Sequence, residues 1–434
     1  MMQEAGKDKK QIIILGGGFG GLAAARTLHT DTVHLTLIDK TNHHLFQPLL
    51  YQVATAALSP GDISEPVRAV LSGKKNTTIV LGEVTQIDPG NNCLQLANGR
   101  TFKYDFLVVA VGAEYSYFGH TQWEQFAPGL KTLDDALKIR ERILLSLEEA
   151  EQIEERQKRK PYLTFVIIGG GPTGVEMAGA IAEIAKRNIM RDYAAFDIEE
   201  TCIYLLEAGP RLLNGFDVEL SNKARNYLEQ MGVNVLLNSP VRKVERNAVT
   251  IGDTVIESMN IIWAAGVVAR PLLTNLSGEQ DANGRIKVTR DLRHPDFQNI
   301  FIIGDAAHCP DAHGNPLPAL APVAIQQGRF VGKLLNESAA KNSKEATRAF
   351  VYVDKGKMAT VGRAKAVAEI NDKKFSGFFA WLLWSVIHIF YLIGFRNRVR
   401  VFLEWIWFYF TFKRGVRLIT NRALDKEKMP SDSK

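Results

Sequence analysis

The sequence predicts an α/β fold of two doubly wound parallel-sheet units followed by an amphipathic helical tail. Three observations predict it: a glycine-rich pattern that occurs twice, an acidic residue closing the second strand after each copy, and an aromatic, arginine-rich segment near the C-terminus. At 434 residues the chain exceeds a single core, which stops growing at about 250 to 300 residues, and suggests two or three domains.

The first copy, QIIILGGGFGGLAAA (11–25), runs from a short β-branched stretch through G-x-G-x-x-G into small residues that open a helix. The second, LTFVIIGGGPTGVEMAGA (163–180), repeats that order. In each, the first glycine allows the strand-to-helix turn, the second lets backbone approach a pyrophosphate, and the third lets helix and strand pack closely. These are Gly16, Gly18 and Gly21, then Gly169, Gly171 and Gly174. Phosphate oxygens sit on the free N–H groups at the positive end of the following helix.

Glycine turns also occur for packing alone, so context has to decide. VHLTLIDK ends in Asp39, with Lys40 after it, 23 residues beyond Gly16. CIYLLEAG ends in Glu207, 38 residues beyond Gly169, so the second copy carries an insertion around KRNIMRDYAAFDIEE. An acid at that strand end binds both hydroxyls of an adenosine ribose. Glu207 would repel a 2′-phosphate and favours NADH over NADPH, unless Arg211 compensates. Further apolar strands end in small residues: YDFLVVAVGAEY (104–115) with Gly112, MNIIWAAGVVAR (259–270) with Gly266, and NIFIIGDAAH (299–308) with Gly304 and Asp305.

Together these motifs resemble the two-dinucleotide-domain flavoprotein reductases. The resemblance implies Rossmann-like domains: a discontinuous FAD-binding domain (10–115 and 265–345), an inserted NADH-binding domain (116–264), and a separate C-terminal region (346–434). In that superfamily the aspartate matching Asp305 holds the ribityl chain of FAD. The cofactor-binding set is then Gly16, Gly18, Gly21, Asp39, Lys40, Val84, Gly112, Gly304 and Asp305, with Gly169, Gly171, Gly174, Glu207 and Gly266. The charged segment LKIRERILLSLEEAEQIEERQKRK, before Pro161, reads as a solvated helix without a role.

Cys93, Cys202 and Cys309 form no C-x-x-C pair, which argues against a disulfide framework, a zinc site and the disulfide-reducing branch of the superfamily. Sulfide:quinone oxidoreductases use widely spaced cysteines, and Cys309, just after the Gly304-Asp305 motif, keeps that alternative open; as ordinary small buried residues the three carry no chemistry. The charged N-terminus and the short apolar run behind it carry no export or transit signal.

The net charge of +6 is concentrated in the tail. Between Arg396 and Arg422, seven basic residues face Glu404 alone. FSGFFAWLLWSVIHIFYLIGF (375–395) has no formal charge over 21 residues, long enough for one membrane span, since about 20 helical residues cover a bilayer. Its polar residues, and the second stretch in which Arg396, Arg400 and Glu404 share a helix face, favour two helices lying in one leaflet. Four of six tryptophans lie between Trp381 and Trp407, suited to headgroup depth. A buried dimer interface is the competing reading, and the end of the chain (424–434) reads as disordered.

With this tail, including YLIGFRNR…RGVRLIT, the chain resembles the type II NADH:quinone oxidoreductases, single-subunit respiratory dehydrogenases that pump no protons. That resemblance implies hydride transfer from NADH to flavin N5, then two-electron reduction of a membrane quinone. It implies monotopic attachment through residues 375–420 at the cytoplasmic face of a bacterial inner membrane, a homodimer, and no nucleic-acid partner. It also places two catalytic residues. Glu176 of GGGPTGVE lies near the nicotinamide and flavin, with stabilisation of the helix dipole in the first turn as the alternative. Gln326 closes APVAIQ (321–326), which matches the quinone motif A-Q-x-A-x-Q at Ala321, Ala324 and Gln326 but has Pro322 for the first glutamine; backbone capping is its alternative. His43 and His44, in HHLFQPLLYQVATAAL, pass near the flavin as proton donors or as exposed or capping residues. An NAD(P)H reductase for a soluble carrier would not need the aromatic tail, and a non-catalytic NADH sensor would need no acceptor site.

Overall fold

The computed structural model describes residues 9–185, 192–311, 314–340, 348–411 and 416–419. Along the chain, β1 (Lys10–Leu15), α1 (Phe19–Thr27) and β2 (Val33–Asp39) are followed by β3 (Thr77–Leu81) and β4 (Phe106–Val109). Next come α2 (Leu133–Gln152), β5 (Thr164–Ile168), α3 (Pro172–Glu183), β6 (Cys202–Leu206), α4 (Val218–Gln230), β7 (Val233–Leu236) and β8 (Asn260–Trp263). After β9 (Ile300–Ile302) and α5 (Ala321–Ala340) the chain forms β10 (Lys357–Gly362), β11 (Lys365–Ile370), β12 (Lys373–Ser376), α6 (Phe378–Tyr391) and α7 (Phe395–Thr411).

Two compact units result. The first comprises the chain up to Leu45, Ser64–Glu114 and Val267–Asp354; the second comprises Phe46–Ile63, Tyr115–Gly266 and the chain from Lys355 onward. Sequence continuity places Phe46–Ile63 with the first nucleotide motif and sets the tail apart, whereas by packing both belong to the second unit.

In the first unit a parallel sheet runs in the order β9-β4-β1-β2-β3. Its central strand β1 is covered on both faces, and for that reason Ile12, Ile13, Ile14 and Leu15 read as a continuous apolar run without alternation. The second unit has a parallel sheet in the order β7-β6-β5-β8, with every residue of β5 buried. The helix α2 is a correction to the sequence reading. It is not solvated all round: Ala136, Ile139, Ile143, Leu147 and Ala150 form a buried stripe at helical spacing, hidden in the sequence by the surrounding charges. Its Ser146 Oγ donates to Tyr162 O and accepts from Asn260 Nδ2, an asparagine buried in β8.

The C-terminal strands form an antiparallel sheet, β10-β11-β12, joined to the nucleotide helix α3 by a close backbone approach. A Cβ on Gly179 would lie 1.6 Å from Val361 O, so only glycine lets β10 lie against α3. Ala366 and Ala368 of β11 likewise make room for Ala380 of α6. The 21-residue uncharged run is therefore divided: it leaves β12 at Ser376, forms the 14 residues of α6 and breaks at Gly394, where φ is +87°. Fourteen helical residues cover about 21 Å against an apolar core of about 30 Å. Among the described residues no helix is long and apolar enough to cross a membrane.

Candidate functional site

Both glycine loops show the geometry expected of them. Gly16 has φ +100° and Gly169 φ +111°; a Cβ on Gly16 would lie 2.3 Å from Ala110 O, and one on Gly169 2.8 Å from Ala264 O. Gly21 and Gly174 pack so tightly on the carbonyls of Gly16 and Gly169 that a Cβ would approach within 1.9 and 1.8 Å. The middle glycines, Gly18 and Gly171, have open space where a side chain would project, and each is the N-cap of its helix. That combination of open space and unspent helix N–H groups fits a pyrophosphate in each unit.

The two acids act on these loops. Asp39 Oδ2 accepts the Gly17 N–H at 2.5 Å, while Oδ1 accepts the Thr41 N–H and hydroxyl at 2.6 and 2.8 Å. Glu207 Oε2 accepts the Gly170 N–H at 2.6 Å and Oε1 the Gly209 N–H at 2.7 Å. A carboxylate offers about four lone-pair sites, so each acid keeps capacity for ribose hydroxyls while fixing its loop. Arg211 is turned away, bonded to Asn214.

In the first unit Asp305 lies in the turn after β9, half-buried, and among the described residues none hydrogen-bonds its carboxylate. Gly304, with φ +70°, and Gly112, with φ +69° and open space at its Cβ, keep backbone free of side chains beside the strand ends. This set of glycines, acids and exposed backbone fits the FAD expected there. Lys40 is exposed, and Val84 packs its side chain against the core, leaving only backbone for a ligand. In the second unit Gly266, φ +68°, sits under the ring of Phe118.

Within the second unit a pocket open to solvent is lined by α3, the segment 51–57, the end of β10 and the tail helices. Glu176 and Glu183 reach it from α3, and Trp384, Trp405 and Tyr409 from the tail. Glu176 is the fifth residue of α3 and stands beyond the first turn, so the helix-dipole alternative loses its basis. Burial pushes its carboxyl up to about 8 against a counteracting backbone hydrogen bond from Thr360, and it carries its proton at neutral pH. Trp405 Nε1 donates to Gln52 Oε1 at 2.8 Å, and Gln52 Nε2 donates to Tyr51 Oη at 2.9 Å. Trp384 stacks on Trp405, with centroids 5.3 Å apart, and on His388, at 4.2 Å. His388 donates through Nδ1 to Trp384 O, and burial pushes it down to about 4, so it stays neutral. Gln52 and the two tryptophans were not separable from ordinary core residues in the sequence; what identifies them is their meeting in one cavity.

Other sequence candidates fall elsewhere. Gln326, in the first unit, spends its amide on the backbone of Val353, donating to the carbonyl at 2.9 Å and accepting from the N–H at 3.0 Å. His43 meets Asn42 Oδ1, whereas His44 is buried and its Nδ1 donates to Gly17 O at 2.9 Å, a capping role on the glycine loop. Burial lowers the pKa of His44, which suits that neutral tautomer. Cys93 and Cys202 open strands in different units, and the buried Cys309 thiol is pushed up to about 11, far from a reactive thiolate. Among the described residues no group of His, Cys, Asp and Glu is arranged for a metal ion.

Residues 10–328 match the pyridine nucleotide-disulphide oxidoreductase family, and residues 355–414 match the NDH2 C-terminal domain. A type II NADH:quinone oxidoreductase of Mycobacterium tuberculosis is 41% identical over 426 residues, 95% of this chain and 91% of the relative. The chain belongs to the type II NADH:quinone oxidoreductases. NDH2 from Plasmodium falciparum, solved in complex with NADH, superposes with a TM-score of 0.87 at 22% identity, covering 94% of this chain and 99% of that one. The sulfide:quinone oxidoreductase of Aquifex aeolicus shares the fold more loosely, at a TM-score of 0.70, 20% identity and coverage of 93% and 95%.

Proposed function

We propose that this chain is an FAD-dependent enzyme that oxidises NADH and reduces a membrane quinone, held on one leaflet by α6 and α7. The observation that carries the reading is the cavity in the second unit, where the nucleotide-binding helix α3 and the aromatic tail line one space. When bound, FAD would supply the hydride acceptor for NADH and the two electrons that, with two protons, convert quinone to quinol. The first unit's glycine loop, Asp39 and Asp305 hold that group; the second unit's loop and Glu207 hold NADH. Protonated Glu176 both donates through its hydroxyl and accepts through its carbonyl oxygen, which complements the carboxamide of nicotinamide. Trp384 and Trp405 give the pocket an apolar wall and Gln52 a polar edge, the environment a quinone ring requires.

Membrane attachment rests on the outer faces of the tail helices. Phe379, Phe390, Phe395 and Phe410 are 77%, 68%, 82% and 74% exposed, with Leu382, Val386, Phe402 and Trp407 beside them. The inner faces, through Trp384, Val401 and Trp405, pack on the unit, and Arg400 reaches the buried Asp62 at 3.5 Å. Exposed aromatics with Arg396 and Arg398 nearby suit an anionic headgroup layer, and a cytoplasmic leaflet supplies that charge. The decisive experiment is steady-state NADH oxidation by the detergent-purified protein with a water-soluble ubiquinone analogue, repeated with NADPH and with sulfide as donor. Rapid NADH-dependent quinone reduction supports the proposal; quinone reduction by sulfide alone overturns it.

A further inference from the structure

We infer that Gln327, the neighbour of the motif glutamine, is the positioning residue of the first nucleotide site: its buried amide holds the Gly304-Asp305 turn in the conformation that presents Asp305. The inference rests on the reading of the first unit as the FAD site.

The geometry begins with the contact between α1 and α5. A Cβ on Gly328 would lie 2.1 Å from Gly20 O, one on Gly332 2.7 Å from Thr27 Cβ, and one on Gly20 3.2 Å from Ala324 O. Three glycines at these positions let the helices approach with backbone against backbone, and so fix the rotation of α5 about its axis. That rotation sends the two adjacent glutamines to different tasks. Gln326 exchanges two hydrogen bonds with Val353 and is accessible to solvent, whereas Gln327 is 1% exposed. Its Oε1 accepts the Gly304 N–H at 2.6 Å, which ties α5 to the start of the Gly304-Asp305 turn.

Gly304 has φ +70°, a conformation outside any strand or helix, and its N–H has no sheet partner where it leaves β9. Without the glutamine oxygen that half-buried donor loses its partner, and the turn relaxes toward a conformation that pairs it. Asp305 moves with the turn.

The test uses full-length protein stripped of flavin, with Gln327→Met and Gln327→Glu. Three quantities are measured: FAD affinity from quenching of flavin fluorescence, NADH affinity at the second unit, and hydrogen exchange at the Gly304 amide. Gln327→Met is expected to weaken FAD binding roughly tenfold, the scale of one buried hydrogen bond left unmade, and to accelerate exchange at Gly304. Gln327→Glu, which keeps an oxygen for that N–H, restores most of the affinity, and NADH affinity is unchanged in both. Faster exchange with unaltered FAD affinity overturns the positioning role. An equal loss of FAD and NADH binding overturns it also, because it marks a general packing defect. Parent protein that binds NADH but no FAD fails at the underlying reading instead, and shows the turn to be structural.

Discussion

Replacing Glu176 by glutamine keeps the shape of the side chain and removes its proton equilibrium. In the folded protein this carboxyl titrates near 8, against 4.5 when unperturbed, because burial disfavours the anion. Between those two values the folded protein holds a proton that the unfolded chain has released. Stability therefore falls as pH rises from about 4.5 to about 8, and the loss is absent below that window. Each pH unit in the window is worth up to about 1.4 kcal/mol, so at pH 7 the parent is up to about 3 kcal/mol less stable than it would be with a permanently neutral group. Glu176→Gln should then unfold in urea at nearly the parent's concentration at pH 4.5 and at a clearly higher one at pH 7 to 8, both in flavin-free protein followed by tryptophan fluorescence. Infrared difference spectra between the two proteins should show a protonated carboxyl at pH 7 that bleaches through pH 8. A stability gap independent of pH, or no protonated carboxyl at pH 6, would refute the reasoning.

Glu207→Ala should raise the KM for NADH roughly tenfold, since it frees the Gly170 and Gly209 N–H groups as well as the ribose site, while the preference for NADH over NADPH narrows. Steady-state kinetics with both nucleotides reads the two effects separately. Phe379→Ser combined with Phe410→Ser removes two exposed rings without touching the cavity, and should release the protein from anionic vesicles in a sedimentation assay while NADH oxidation with ferricyanide is retained. Trp405→Phe loses the hydrogen bond to Gln52 and should raise the KM for quinone about threefold to tenfold with the KM for NADH unchanged. A change confined to NADH would displace the cavity from the quinone's path.

The nucleotide loops were legible because their physics is local. A turn that must reach φ near +100° selects glycine at Gly16 and Gly169, and a helix that must touch its own strand selects glycine at Gly21 and Gly174. Asp39 and Glu207 were found by the same means, although their bonds to the loop amides were not foreseen. What local pattern leaves open has a common cause. The segment 137–160 reads as solvated because charges of both signs run through it, and the burial of one apolar stripe of α2 is settled by what packs against it. Gln326 and Gln327 are adjacent and chemically identical, so nothing local tells which faces Gly304 and which faces Val353.

The sequence by itself determined the two nucleotide units, the family and the placement of aromatics and arginines in the tail, because each depends on short-range constraints on backbone and composition. Only the tertiary structure decided how the uncharged run 375–395 divides, since that depends on Ala366, Ala368 and Ala380 letting α6 lie on its sheet. It also decided that Phe46–Ile63 and the tail pack in the second unit and that Glu176 shares a cavity with Trp384 and Trp405. The separation in sequence between Gln52 and Trp405 is 353 residues, and the energy that joins them is a contact between side chains that no local pattern encodes.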